Sequence, residues 1–114
     1  MAEPVQISIP MDVYTSPREI VIILPLGGVQ KKSVEIYFED YTLIISGKRI
    51  EPKLKNDLAP QQQECFRGEF KRPVQLPPDI YIDRIHSTIS AENVLQIVIP
   101  KMLVPEKMKV DIAY

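Results

Sequence analysis

Eleven prolines divide this 114-residue chain and restrict it to short secondary-structure elements. Because proline interrupts helices, only residues 26–51 and 79–99 form long windows without a break. Both windows are rich in β-branched residues, and residues 34–39 alternate apolar with polar side chains. No segment combines the apolar spacing of an amphipathic helix with capping signals at both ends. We therefore predict an all-β fold.

Turn signals separate six or seven predicted strands. Two hairpin turns are expected, a tight one at residues 39–41 and another at residues 91–93, where Asn93 tolerates a positive φ. Strands at this spacing predict an immunoglobulin-like β-sandwich of two antiparallel sheets. The predicted strands span residues 12–14, 19–24, 34–38, 42–48, 64–76, 85–89 and 94–99.

Charge and composition exclude several classes of function. The 14 basic and 15 acidic residues nearly cancel, so no basic stripe indicates a nucleic-acid partner. The longest apolar run, residues 20–24, is too short to span a membrane. A single cysteine, Cys65, rules out an internal disulfide, and no signal-peptide pattern is present. These features favour a cytoplasmic protein.

Patterns typical of catalysis and of cofactor binding are absent from the sequence. Gly27 and Gly28 open no helix and lack the lysine and hydroxyl of a phosphate-binding loop. Cys65 has no general base near it in the sequence, and with the single histidine, His86, it cannot complete a structural zinc site. We expect no enzyme activity, no cofactor and no metal.

The end of the chain carries a separate apolar pattern. Val110 and Ile112 alternate with charged residues in a segment that follows Pro100. Two aliphatic residues cannot build a core of their own, so we predict that they bind a groove on a neighbouring subunit. The alternative is a frayed tail with accidental alternation.

Three motifs in a fixed order resemble those of the small heat shock proteins. Residues 40–49 are similar to the family's strand that ends in serine, glycine, a charged residue and arginine. Residues 68–72, Gly-Glu-Phe-Lys-Arg, followed by 75–77, Gln-Leu-Pro, are similar to its glycine-x-phenylalanine-x-arginine strand. Residues 93–101 are similar to its last strand, which ends in proline-lysine. The chain thus resembles the Hsp20 / α-crystallin domain family from about Met11 to Lys101.

This resemblance implies a division of the chain into three parts. They are a short N-terminal arm (1–10), an α-crystallin domain (11–101) with a long loop (50–63), and a C-terminal extension (102–114). The arm is much shorter than in most family members. Asn93 stands where the family has glycine, and Pro73 is expected at a sheet edge or a bulge.

The resemblance also implies where the C-terminal pair binds. In the family, the groove lies between two strands that match residues 34–38 and 85–89 here. The implied groove residues are Val34, Ile36, Phe38, Ile85, Ser87 and Ile89. A second apolar pattern, Ile7-Ser8-Ile9, either competes for this groove or forms a first strand with Ile7 and Ile9 in the core.

The long loop has the length found in relatives that exchange a strand within a dimer. A loop strand before Glu64 would pair with the partner's first strand and cover two sheet edges. A mobile surface loop is the alternative, and Arg72 is either an interface residue paired with Glu64, Glu69 or Asp79 or an exposed strand arginine. The implied dimer-interface residues are Met11, Val13, Tyr14, Gln61, Gln62, Gln63, Glu64 and Arg72.

The function that the resemblance implies is that of an ATP-independent holdase chaperone. Such a protein binds unfolding client proteins, prevents their aggregation and assembles through homodimers into a higher homo-oligomer. One alternative is a co-chaperone adaptor like the p23 or CS domains. Another is a dimeric family member with little chaperone activity because of its short arm. None of these readings involves nucleic acid or a membrane.

Overall fold

The computed structural model describes residues 9–65, 67–103 and 109–114, and its regular structure in these ranges is almost entirely β. Two single-turn 3₁₀ helices, Lys31–Ser33 and Ile82–Arg84, each lead into a strand. The all-β prediction is confirmed. The strands are β1 (Asp12–Thr15), β2 (Glu19–Pro25), β3 (Glu35–Glu39), β4 (Thr42–Arg49), β5 (Gly68–Gln75), β6 (His86–Ile89) and β7 (Val94–Pro100).

The strands form two antiparallel sheets, as the sequence predicted. One sheet has the order β1-β2-β7-β6, and the other has the order β3-β4-β5. Every neighbouring pair is antiparallel. Pro73 lies on β5, an edge strand of its sheet, where a missing backbone N–H is tolerated.

Alternate residues of the strands form one core between the sheets. In β2, Ile20, Ile22 and Leu24 are buried, while the residues between them are only half-buried. Fully burying each such side chain contributes about 1.5–3 kcal/mol relative to leaving it in water. The core consists of Ile9, Ile20, Ile22, Leu24, Leu26, Val29, Leu43, Ile45, Phe70, Leu76, Ile80, Leu95, Ile97 and Ile99.

Backbone conformation at the two predicted hairpins agrees with the sequence analysis. Asp40 and Tyr41 have φ values of 50° and 56°, so both central residues of the β3–β4 turn are left-handed. This is the turn that matches the right-handed twist of the flanking strands. Asn93, at φ 62°, closes the β6–β7 turn, and its N–H donates to the Ser90 carbonyl at 3.0 Å.

Close packing between β4 and β5 explains one glycine of the family motif. Gly47 lies opposite Phe70 in the ladder. A Cβ atom at position 47 would lie 2.7 Å from Phe70 Cζ and 2.8 Å from Cε1, closer than real Cβ contacts allow. The phenylalanine ring therefore occupies the space that a side chain at position 47 would need.

The long loop differs from the prediction. Strand β5 begins at Gly68, whereas the sequence predicted a strand from residue 64. Glu64 and Cys65 are exposed and have no strand partner, and Phe66 lies outside the described residues. Residues 50–65 contain no strand or helix.

Part of the N-terminal pattern packs into the core. Ile9 is only 2% exposed and belongs to the core cluster. This is the role that the core alternative assigned to it. Ile7 and Ser8 lie outside the described residues.

Candidate groove between the two sheets

The candidate site lies between two strands that are both edges of their sheets. Strand β3 pairs only with β4, and β6 pairs only with β7, within the described ranges. An unpaired strand edge offers a row of N–H and C=O groups to another extended segment. A third strand can therefore add here through backbone hydrogen bonds.

Side chains from both strands form two pockets in this space, which we call the β3–β6 groove. The first, the Val34 pocket, has a volume of about 390 Å³, and Lys31, Thr88 and Leu95 complete its wall. The second, the Phe38 pocket, has a volume of about 230 Å³ and includes Ile82 and His86. All six groove residues implied by the sequence line one or both pockets: Val34, Ile36, Phe38, Ile85, Ser87 and Ile89.

The two pockets are adjacent along the strands. They share Ile36 and Ser87, so their centres differ by about one two-residue repeat, or about 7 Å. Val110 and Ile112 are separated by the same repeat in an extended chain. The spacing of the pockets therefore matches the spacing of the two aliphatic side chains.

Local structure holds the start of β3 in place. The Ser33 hydroxyl donates to the Gln30 carbonyl at 2.6 Å, and it accepts from the Lys48 N–H at 2.9 Å. These bonds connect the 3₁₀ helix Lys31–Ser33 to strand β4 next to the Val34 pocket. Hydrogen bonds of Ser33, just before β3, therefore hold the adjacent wall of that pocket in place.

The start of β6 is held in a similar way. The Tyr81 N–H donates to the Pro100 carbonyl at 2.9 Å, which ties this segment to the end of β7. The Arg84 guanidinium lies 4.3 Å from the centre of the Tyr81 ring. Ring and cation attract each other in this geometry, so the segment enters β6 in a defined orientation.

The side chains of Val110 and Ile112 are largely exposed in the single chain. Residues 109–114, which we call the tail, form no strand and are all exposed. The side chains of Val110 and Ile112 are 71% and 75% exposed. Two aliphatic anchors are therefore available to a neighbouring molecule.

The predicted dimer residues are not brought together in the single chain. Val13 and Tyr14 are 50% and 56% exposed on β1, an edge strand, whereas Met11 packs against the core. The loop residues Gln61, Gln62, Gln63 and Glu64 are exposed and form no strand. Gln62 instead donates to the Glu64 carboxylate at 2.9 Å.

The sequence analysis overlooked three exposed aliphatic residues of the loop. Ile50, Leu54 and Leu58 are 53%, 60% and 59% exposed. They recur every four residues within a polar segment, but this spacing does not reveal that they are exposed. They are apolar enough for a docked contact, which the glutamines are not.

The predicted ion pairs of Arg72 do not form within the described residues. The β5 register places Arg72 on the inward side opposite Ile45, half-buried, with its Nε buried and unpaired. Glu69 belongs to the outward side of the same strand, so the two side chains cannot meet. Pairing of Arg72 with Glu64, Glu69 or Asp79 at a dimer interface stays a prediction.

A further concavity lies on the outer face of the three-stranded sheet. It has a volume of about 780 Å³ and mixes acidic with basic residues, among them Glu69 and Lys71. The Tyr37 hydroxyl donates to the Glu35 carboxylate at 2.7 Å on this face. The hydrogen bond and the negative charge of Glu35 both raise the pKa of Tyr37.

The described residues contain neither a group of metal-ligating side chains nor a membrane-spanning helix. No three histidine, cysteine, aspartate or glutamate side chains of residues 9–65, 67–103 and 109–114 are grouped closely enough to hold a metal ion. No helix in this part of the chain is long and apolar enough to cross a membrane.

Comparison with known proteins gives one family. The Hsp20/alpha crystallin family profile matches residues 12–113. A probable 15 kDa heat shock protein of Leptospira interrogans is 34% identical over 91 residues, or 80% of this chain and 68% of that protein. Heat shock protein 16.0 of Schizosaccharomyces pombe superposes with a TM-score of 0.75 at 24% identity, covering 94% of this chain and 99% of that one. A small heat-shock protein of Xylella fastidiosa, which has a distinct high order structure, gives 0.74 at 23% identity, covering 96% and 99%.

Proposed function

The chain belongs to the Hsp20/alpha crystallin family, the small heat shock proteins, and we propose that it acts as an ATP-independent holdase. In this role it binds unfolding proteins and keeps them from aggregating. Small heat shock proteins are chaperones and not enzymes. The tail of each copy binds the β3–β6 groove of a neighbour, and this contact links subunits into a larger assembly.

The match between the tail and the groove carries the proposal. Two pockets one strand repeat apart lie between two free strand edges, and two exposed aliphatic side chains have the same repeat. Backbone hydrogen bonds to an edge strand supply affinity, and the pockets supply specificity. The Xylella fastidiosa relative forms a high order structure, and this supports assembly as the use of such contacts.

Each tail contact is weak by itself. Burying two branched aliphatic side chains contributes roughly 3–6 kcal/mol before ordering costs are subtracted. A single contact then has a dissociation constant on the order of millimolar, and of tens of micromolar at the tightest. Several contacts in one assembly act together, so the assembly is stable while each contact continues to exchange.

Exchange exposes the groove to unfolding proteins. Such proteins present apolar segments and unpaired strand edges, and the groove offers a partner for both. A client and a tail therefore compete for one site, and excess client shifts the population towards open grooves. This equilibrium needs no nucleotide hydrolysis.

A dimer is the proposed building block of the assembly. The edge of β1 exposes Val13 and Tyr14, and the loop exposes Leu54 and Leu58. We assign the apolar part of the loop contact to the two leucines rather than to Gln61–Gln63, because only the leucines bury apolar surface on docking. The partner's loop would then cover the β1 edge and prevent unspecific strand addition there.

The proposal is tested by heating a thermolabile client with the purified protein in the absence of ATP. Light scattering follows client aggregation, and multi-angle scattering gives the mass of the assembly. A large assembly that suppresses aggregation supports the proposal. A dimer without suppression would instead indicate the inactive dimeric alternative, and a small particle that only binds another chaperone would indicate an adaptor.

A competing peptide separates tail docking from other modes of assembly. A synthetic peptide of residues 109–114 in large excess should reduce the assembly mass, because it occupies the grooves. The control peptide carries serine at the positions of Val110 and Ile112 and should have no effect. Equal effects of the two peptides would contradict docking in the groove.

A further inference from the structure

We infer that Pro73 closes the free edge of β5 to strand addition, so that copies of this chain do not pair with each other through β5. Among the described residues, β5 pairs only with β4, which leaves its other side open. An open strand edge is a template for any extended segment, including the same strand of a second copy. The inference concerns this edge and does not depend on the binding of the tail.

Hydrogen bonds of β4 show which of its residues face β5. In an antiparallel ladder the N–H and C=O of one residue point to the same side, and successive residues alternate between the two sides. The Lys48 carbonyl accepts from the Gln30 N–H at 2.9 Å, and the Lys48 N–H donates to the Ser33 hydroxyl at 2.9 Å. Tyr41, next to the start of β4, accepts instead from the Leu76 N–H at 2.7 Å, just beyond the end of β5. Odd-numbered residues of β4 therefore face β5, and even-numbered residues face away from it.

The strand register places the nitrogen of Pro73 on the open side of β5. Pro73 lies directly opposite Ile44, an even-numbered residue of β4. The two residues therefore exchange no hydrogen bond, and the Pro73 nitrogen points away from β4. A proline at position 72 or 74 would instead remove a hydrogen bond to β4. At position 73 the proline costs the sandwich no bond of this ladder.

An incoming strand would meet the proline ring. The residues whose N–H groups point to the open side are Glu69, Lys71 and Gln75, and Pro73 interrupts this row. Proline has no N–H, and its ring occupies the space through which a partner's carbonyl would approach. If two copies paired their β5 strands about a two-fold axis, each would bring its proline close to the centre of the new ladder. The pairing would lack hydrogen bonds there and would suffer steric overlap.

The other three sheet edges of the described structure lack this protection. Strands β1, β3 and β6 contain neither proline nor lysine. Strand β5 contains both, Lys71 and Pro73, and both residues are exposed. Lysine and proline on an edge strand are two of the means by which native sheets oppose edge-to-edge pairing. The chain therefore leaves three edges open to strand addition and closes the fourth.

Amide hydrogen exchange of the wild-type assembly, measured by mass spectrometry at single-residue resolution, tests whether the β5 edge is open. The N–H groups of Arg72 and Val74 face β4 and should be protected. Those of Lys71 and Gln75 face solvent and should exchange at least about tenfold faster. Protection of Lys71 and Gln75 equal to that of Val74 would place a strand on this edge and overturn the inference. This measurement requires no variant to fold.

The variant Pro73→Val restores the N–H and removes the ring. We expect it to at least double the mass seen in sedimentation, and to protect the amides of Lys71 and Gln75. Pro25→Val makes the same change at an exposed proline of β2, which is not an edge strand, and should keep the wild-type mass. Pro73→Val/Lys71→Pro places a proline on the open side again and should restore the wild-type mass.

Thermal unfolding confirms first that each variant is folded. A folded Pro73→Val with the wild-type mass would overturn the inference, because the ring would then not be what prevents pairing. An equal gain of mass in Pro25→Val would also overturn it and would attribute the association to composition. A persistent gain in Pro73→Val/Lys71→Pro would contradict a role of the open N–H row. The tail and the groove are unchanged in all three variants, so the outcome is distinct from that of tail docking.

Discussion

Replacing both tail anchors by serine, Val110→Ser/Ile112→Ser, should dissociate the assembly without unfolding the sandwich. Both side chains are largely exposed in the single chain, so their replacement removes no contact within the core. What the variant loses is the apolar surface that docking removes from water. The predicted effect is therefore on association and not on the stability of the subunit.

The magnitude follows from the exposed fractions. Fully burying a valine or isoleucine side chain contributes about 1.5–3 kcal/mol. Val110 and Ile112 are 71% and 75% exposed, so docking can still bury about three quarters of each side chain. Each anchor then contributes about 1–2 kcal/mol, and the pair about 2–4 kcal/mol. Each tail contact should weaken by about 30-fold to 1000-fold.

The assay is analytical ultracentrifugation over a range of protein concentrations, combined with thermal unfolding. The wild type should show a large species at concentrations where the double variant sediments as a dimer or monomer. The melting temperature of the isolated subunit should remain the same in both proteins. Fitting the mass against concentration gives the loss per contact.

A matched single substitution controls for surface hydrophobicity. Leu103 is 72% exposed, close to the 75% of Ile112, but it lies outside the two-anchor motif. Ile112→Ser should weaken assembly by about 5-fold to 30-fold, and Leu103→Ser should leave it unchanged. The reasoning is refuted if both variants lower the mass equally, or if the double variant assembles like the wild type.

Three further predictions concern other parts of the chain. Gly47→Ala should lower the free energy of unfolding by about 1–3 kcal/mol in denaturant titrations, because the new methyl group overlaps a buried ring. Leu54→Ser/Leu58→Ser should shift a dimer–monomer equilibrium towards monomer in dilution experiments, because the loop loses its apolar contact. Glu35→Gln should lower the pH at which Tyr37 ionises, measured by tyrosinate absorbance, because the carboxylate raises that pKa. The favourable contact with neutral Tyr37 is present below its ordinary pKa and disappears as the pH rises through the raised value.

Controls for these three substitutions are available in the same chain. Gly27→Ala should cost much less than Gly47→Ala, since a Cβ at position 27 meets no atom within 4 Å; equal losses would contradict the packing argument. Lys53→Ser/Lys55→Ser should leave the dimer intact, and its dissociation would point to charge instead of apolar surface. An unchanged titration curve in Glu35→Gln would show that Glu35 does not control Tyr37.

Local sequence patterns predicted the strands because their causes act over a few residues. The tight hairpin predicted at residues 39–41 forms, and the structure adds that Asp40 and Tyr41 both have left-handed conformations. The start of β5 was predicted too early, since residue types in the 64–67 segment suit a strand. A strand also needs a partner, and only the fold shows that Glu64, Cys65 and Arg67 pair with no strand in the single chain.

Some site residues could likewise be predicted from the sequence, whereas others depended on the three-dimensional structure. The family motifs supplied the six groove residues, and all six line the two pockets. The partners of Arg72 were predicted from closeness in sequence, and the strand register turned its side chain to the opposite side from Glu69. The exposed leucines of the loop were overlooked because their significance depends on exposure, which alternation does not reveal.

By itself the sequence determined an all-β chain with two tight hairpins, membership of a chaperone family and a two-anchor tail. Prolines, β-branched residues and turn residues act through the backbone next to them, so these properties can be read locally. The tertiary structure alone decided that β3 and β6 are neighbouring edge strands of the two sheets. It also decided that two pockets of unequal size lie between them. Core packing sets the placement of one sheet over the other, and that placement depends on contacts between residues far apart in the chain.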